Sequence, residues 1–362
     1  MTCVTLPRWG RRRQPAIFRP GARLPTHMHL EEQRITPSPW TLSMAALTLA
    51  GALGACGGAG RDHPAPGRDT TAAMSADSAA PAAAAGPTRV EGFQAPESVK
   101  YDAELDVWYV ANINGSPLDK DGNGYISRLK GDGTMDSLKF IVAGVNGVKL
   151  DGPKGMALQA DTLWVADITN LRGFNRKTGK PVASIALKGS KFLNDVAIGQ
   201  DGIYVTDTGI EGTKSGMGHS GPDRIYRVGP THAATVAIEN DSLAGPNGIT
   251  WDGVGRRFVV VPFFGKTVVA WTPGSKAVVP LGQTKGQLDG IEPLGGTRFL
   301  ITSWADSSLD VFDNGTVTPV STDLPSPADI GVDTKRNRVA IPLLMENRVE
   351  FRALPAGGKG PS

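Results

Sequence analysis

Six times between residues 95 and 354 the same run of strands returns, and a repeat of this length decides architecture before any single residue does. Each unit opens on a short apolar strand with a polar residue near its start: PESVKYD, PKGMALQ, LNDVAIG, PNGITWD, LDGIEPL and PADIGVD. A second strand follows in each: VWYVANI, TLWVADI, GIYVTDT, RFVVVPF, RFLITSW and RVAIPLL. A third alternates, as in YISRL or RIYRV, and a weaker fourth closes the unit, as in VASIALKG. Taking Glu97, Lys154, Asn194, Asn247, Asp289 and Asp329 as anchors, the spacings are 57, 40, 53, 42 and 40. Short β-branched and aromatic runs punctuated by DG, NG and GG turns predict an all-β chain. Four strands in each of six units predict a six-bladed β-propeller over residues 89–354. The sixth unit ends after three strands, and TRVEGF, Thr88 to Phe93, is predicted to supply its outer strand and remove the open edge. A solenoid is the competing arrangement, but it needs dedicated caps that the sequence lacks.

Residues 57–88 contain only small, polar and Pro residues apart from Met74 and Val-free alanine runs, with no aromatic side chain. Such a stretch buries too little apolar surface to offset its ordering entropy, so 56–88 reads as a tether, and 355–362 as a short tail. Before it, Trp40 to Leu53 is an apolar run of signal-peptide length. The run ends in Leu53-Gly54-Ala55-Cys56, which resembles the lipobox of bacterial lipoprotein signals. The resemblance implies that 1–55 is a signal region and that the Cys56 thiol carries a lipid, with the body anchored on the periplasmic or outer-membrane side. The segment before Trp40 is long for a signal, so Met28 and Met44 are alternative starts. The only other cysteine is Cys3, which leaves the mature chain without a disulfide. The formal charge is +3, and Arg11, Arg12 and Arg13 lie in the signal region. No basic stripe remains on the body, so nucleic acid is not an expected partner, and a monomer is the expected state.

In a propeller the innermost strands start at one face of the central channel, so the six anchors are predicted to form a ring, with Asp195 beside Asn194. Four carboxylates, Glu97, Asp195, Asp289 and Asp329, then face one ammonium, Lys154. Such a cluster is costly unless a cation or protons compensate. All-oxygen donors suit a hard ion such as Ca²⁺, with Zn²⁺ or Mn²⁺ as alternatives. A hydrated acidic channel, or Lys154 in place of the metal, are the competing readings.

From Ala95 to about Leu354 the chain resembles the gluconolactonase and regucalcin-like (senescence marker protein) family of six-bladed propellers. The residues that carry the resemblance are Glu97 in APESVKYD, Asn194 in KFLNDVAIGQDG, Asn247 in GPNGITWD and Asp289 in QLDGIEPL. The resemblance implies that these four hold one divalent metal, and that the chain hydrolyses a small lactone or ester. It also implies Asp289, with Glu97 as the alternative, as the group accepting the proton of an attacking water. Paraoxonases and diisopropyl fluorophosphatase use a similar set, so the set alone selects no substrate.

Three departures stand out. The Glu-Gly-Pro usual after the first blade start is Glu97-Ser98-Val99, Lys154 enters the channel, and the body's two histidines, His219 and His232, both lie away from blade starts. Thr208 to Asp223 reads as a long Gly-rich loop on the anchor face that can bring His219 to the mouth. Asp119, Asp121, Asn123 and Gly124 match the first half of an EF-hand loop, but Lys130 holds the twelfth place, and a plain turn is the better reading. Trp108, Trp164 and Phe258, on second strands, are expected to pack blade against blade. Two other functions compete. One is a non-catalytic NHL-like binding propeller, which has no need of the quartet. The other is a strictosidine-synthase-like propeller, which needs a lone Glu and no metal.

Overall fold

A computed structural model describes residues 86–214 and 216–355. The region read as a signal, Cys56, the tether as far as residue 85 and the tail beyond 355 lie outside the described residues. The described part is six four-stranded antiparallel blades around a channel. The inner strands are Pro96–Asp102, Pro153–Gln159, Leu193–Ile198, Pro246–Asp252, Leu288–Gly295 and, in the last blade, the short Gly331–Asp333. The predicted closure is present: Arg89–Glu91 pairs with Arg348–Ala353, placing Val90 opposite Val349, and becomes the outer strand of the sixth blade. At the axis, Val99 N donates to Asp329 O (3.1 Å) and Asp329 N to Glu97 O (2.9 Å), so the first and last blades also meet through their inner strands.

The apolar side chains fall into clusters that each fill the gap between two neighbouring blades. One joins the first and second blades around Tyr109 and Phe174, and another the second and third around Trp164 and Tyr226. Between the sixth and first lie Trp108, Phe93 and Phe351, and the remaining three gaps are filled in the same way. Trp108, Trp164 and Phe258 are all buried in these gaps, as their places on second strands predict. Packing between blades, rather than within one, makes each blade depend on both neighbours.

The inner strands share a local irregularity that positions the site. In the first five blades the register with the second strand shifts just after the strand begins, as between Pro96 and Ser98 or Leu288 and Ile291. A bulge there re-aims consecutive residues. The anchor faces the mouth, and the residue after it turns toward the inner strand of a neighbouring blade just beneath. In the fifth blade that second residue is Gly290. A Cβ on it would lie 2.7 Å from Ile330 N and 2.8 Å from Asp329 Cα, both backbone atoms of the next blade. Neither can yield without moving an inner strand. Gly290→Ala is therefore expected to lower unfolding free energy by about 3 kcal/mol. A urea titration checks this, and an unchanged midpoint would contradict the close approach.

Candidate functional site

At the mouth the anchors of five blades meet on the floor of one pocket of about 380 Å³: Glu97, Lys154, Asn194, Asn247 and Asp289. In the first three blades the inner strand is delivered to the floor by the residue ending the second strand. Asp167 Oδ1 accepts the N–H groups of Asp151 and Gly152, both at 2.9 Å. Asp207 Oδ1 accepts Phe192 N at 2.8 Å, and Asn112 Oδ1 accepts Gln94 N at 3.1 Å. The Asn194 amide is oriented in turn: its Nδ2 donates to Thr208 Oγ1 (3.0 Å), which donates to Pro246 O (2.8 Å). That leaves the Asn194 oxygen uncommitted.

Two carboxylates sit on this floor almost without water. Glu97 is 5% and Asp289 4% exposed, and Glu97 Oε2 and Asp289 Oδ1 have no hydrogen-bond partner. Burial holds Glu97 well above the usual carboxylate range, and repulsion from Asp289 adds to it against the opposing pull of Lys154. Burial likewise raises Asp289, with Asp329 adding to it. Trp304 Nε1 and the Asn247 amide lie close enough to Asp289 to oppose that rise, although Trp304 Nε1 completes no hydrogen bond of ordinary geometry. Lys154 is 1% exposed. Its ammonium donates to Gly152 O (2.9 Å) and lies 4.2 Å from the centre of the Phe192 ring. Burial lowers its pKa, while Glu97 and Asp167 pull the other way.

Three residues expected at the mouth are elsewhere. The repeat makes Asp329 the sixth anchor, but Pro327 pairs with Leu343 as Pro96 pairs with Asn112. Ala328 therefore takes the anchor place, and Asp329 sits one level down, bridged to Ser98 and accepting its hydroxyl at 2.6 Å. Asp195 lies on the same lower level, its oxygens taken by Val196 N (2.6 Å) and Ile249 N (2.8 Å). His219 does not line the pocket. Its segment is a hairpin, Ile210–Thr213 against Gly216–His219, rather than an open loop. At the hairpin's end His219 Nε2 meets Asp223 Oδ1 at 2.7 Å, and its ring stacks on Phe264. What the hairpin brings to the pocket is Ile210 and Met217.

The cation of the lower level is one that sequence reasoning missed. Lys100 Nζ pairs with Glu292 Oε1 between the first and fifth blades. Burial works against that ammonium, but Glu292, Asp329 and Asp195 outweigh it and hold Lys100 above its usual value. The first and fifth blades are not neighbours in the ring, so the two side chains meet across the channel. Five carboxylates thus face two lysines in the channel: Glu97, Asp195, Asp289, Glu292 and Asp329 against Lys100 and Lys154. Lys154 acts on Glu97 and Asp167, and Asp329 is answered by Lys100.

Among the described residues no three His, Cys, Asp or Glu side chains gather as a metal group. Two of the quartet's donors are amides, however, and the unpartnered oxygens of Glu97 and Asp289 are the kind a hard cation takes up. The donor chemistry therefore fits one divalent ion.

No family model matches the chain, and no curated protein matches it. Among solved structures it is similar to a catalytically inactive virginiamycin B lyase from Staphylococcus aureus with quinupristin. The identity is 13%, the TM-score 0.49, and the match covers 74% of this chain and 98% of that one. Likeness at that level speaks to no chemistry.

Proposed function

We propose that the chain is a metal-dependent hydrolase of lactones or esters, with Glu97, Asn194, Asn247 and Asp289 holding one divalent cation, Ca²⁺ first and Zn²⁺ or Mn²⁺ as alternatives. The supporting observation is the pair of buried carboxylate oxygens, on Glu97 and Asp289, that no protein group satisfies. A bound cation of this kind supplies Lewis-acid polarisation of a carbonyl oxygen. The residues do the rest. Asp289, whose proton affinity is raised, takes the proton of the attacking water as the acyl carbon–oxygen bond forms, and returns it to the leaving oxygen as the old bond breaks. The side-chain oxygens of Asn194 and Asn247 would serve the cation, and Lys154 opposes the rise in the Glu97 pKa from the side of the second blade. The apolar walls limit the water that reaches the reacting atoms.

The test is hydrolysis by the full chain of a panel of aldonolactones, alkyl lactones and aryl esters, with and without a chelator. Turnover lost to the chelator and restored by Ca²⁺, Zn²⁺ or Mn²⁺ is expected. No turnover with any of these ions would remove the reading and leave a binding propeller.

We also propose, from the sequence around Cys56, that the protein is exported and lipid-anchored. Cys56→Ser is then expected to move it from the membrane to the soluble fraction, and a variant that stays in the membrane would contradict this.

A further inference from the structure

We infer that the pocket takes the apolar acyl or alkyl arm of its substrate rather than a polyhydroxylated ring, so that the substrate class is an alkyl-substituted lactone or a medium-chain ester. This rests on the reading of the floor as a hydrolytic site. Above that floor the wall is built from Phe192, Ile210, Met217, Phe263, Trp304 and Leu344, contributed by loops of four different blades. Met217 is 57% exposed at the rim, and so is neighbouring Met345 at 70%, although large apolar side chains gain nothing from water there. Methionines at a rim suit chains of varied length, because the thioether arm re-packs without a fixed shape.

The oxygens left free on the floor, on Glu97 and Asp289, are those assigned to the cation, and the donors a sugar ring's oxygens need are largely engaged. Asn347, the polar side chain of the wall, accepts Ala95 N at its Oδ1 (2.8 Å). The Asn194 amide donates to Thr208, and the Lys154 ammonium donates to Gly152 O at 2.9 Å and to Pro117 O at 3.5 Å. A hydroxyl carried into this pocket without a partner costs roughly tenfold in affinity. Each methylene laid against the wall gains about fourfold. At 380 Å³ the space is at the small end for small-molecule sites, which run from about 300 to 1,000 Å³, so it holds one arm and one ring.

The experiment measures binding apart from catalysis. Non-hydrolysable γ-alkyl lactams of increasing chain length are titrated into the full chain and followed by tryptophan fluorescence, with Trp304→Phe identifying the pocket signal. In parallel, kcat/KM is measured for γ-alkyl lactones and for glucono-lactone. The expected result is a dissociation constant that falls about fourfold per methylene until the arm outgrows the pocket, with the slope flattened in Phe263→Ser. The wild-type slope stands on its own if that variant fails to fold. Chain-length dependence in binding without any turnover would support the apolar pocket while removing the hydrolase reading. Metal-dependent turnover with a flat slope, or tighter handling of glucono-lactone than of the hexyl-substituted lactone, would overturn the apolar pocket while leaving the hydrolase reading in place.

Discussion

Asp289→Asn lowers kcat/KM for lactone hydrolysis by about 10³-fold and at the same time raises the melting temperature of the metal-free protein. Both effects come from one buried oxygen. Asp289 Oδ1 has no partner, and the side chain raises the pKa of Glu97 by repulsion across a dry floor. Asparagine keeps the shape and an oxygen toward Trp304 and Asn247, but it neither repels Glu97 nor holds a proton. Relief of about 1 kcal/mol corresponds to about 3 °C in a domain of this size. A merely structural aspartate gives the opposite sign in stability, because its removal loses a contact. The two readouts are initial rates over a substrate series and a thermal melt in chelator. Unchanged kcat/KM, or a lower melting temperature, would contradict the role given to Asp289.

The second large effect is a stability profile that slopes the wrong way for an ordinary protein. Burial, opposed by Lys100 and Ser98, raises Asp329 from 3.8 to about 6. Burial raises Glu97, Asp195 and Asp289 in the same direction. A carboxyl group that holds its proton more tightly in the native state stabilises the fold below its unfolded pKa. That contribution is lost as pH rises through its folded pKa, which for Asp329 means between about pH 4 and pH 7. At 1.36 kcal/mol per unit, Asp329 alone accounts for about 3 kcal/mol. Carboxylates shifted the other way, such as Asp106, which Arg336 holds near 2, lose their stabilising effect only below this window. The metal-free protein is therefore expected to melt at a lower temperature at pH 7 than at pH 5. Millimolar Ca²⁺ is expected to reverse the slope, since a cation binds the ionised carboxylates and so stabilises more as pH rises. Thermal melts across pH with and without chelator check this. A chelated profile that climbs to pH 7 would contradict the account of the channel.

The ring of blades was legible because its signal is repeated. Six inner strands and six second strands carry the same pattern, and the incomplete last unit pointed to the closing strand at Arg89–Glu91. Five anchors were legible for the same reason, since each is the second residue of its strand. The sixth was misplaced because PADIGVD puts an alanine where the other blades put the anchor, and an acid one residue later looks equivalent without the pairing of Pro327 with Leu343. Lys100 and Glu292 lie in mid-strand, away from the strand starts where the repeat carries its signal. The walls were not legible. Phe192, Met217 and Trp304 lie on connections whose directions depend on hydrogen bonds made far away in sequence, and the hairpin that carries Met217 leaves His219 pinned to Asp223 instead of the mouth.

The most direct test of the central claim is the metal content of the full chain after exposure to Ca²⁺, Zn²⁺ or Mn²⁺ and gel filtration, beside Asn247→Ala and Asp289→Ala. The account predicts about one divalent ion per chain, lost in both variants. No retained ion with any of the three metals, and melting temperatures that the metals leave unchanged, would contradict it.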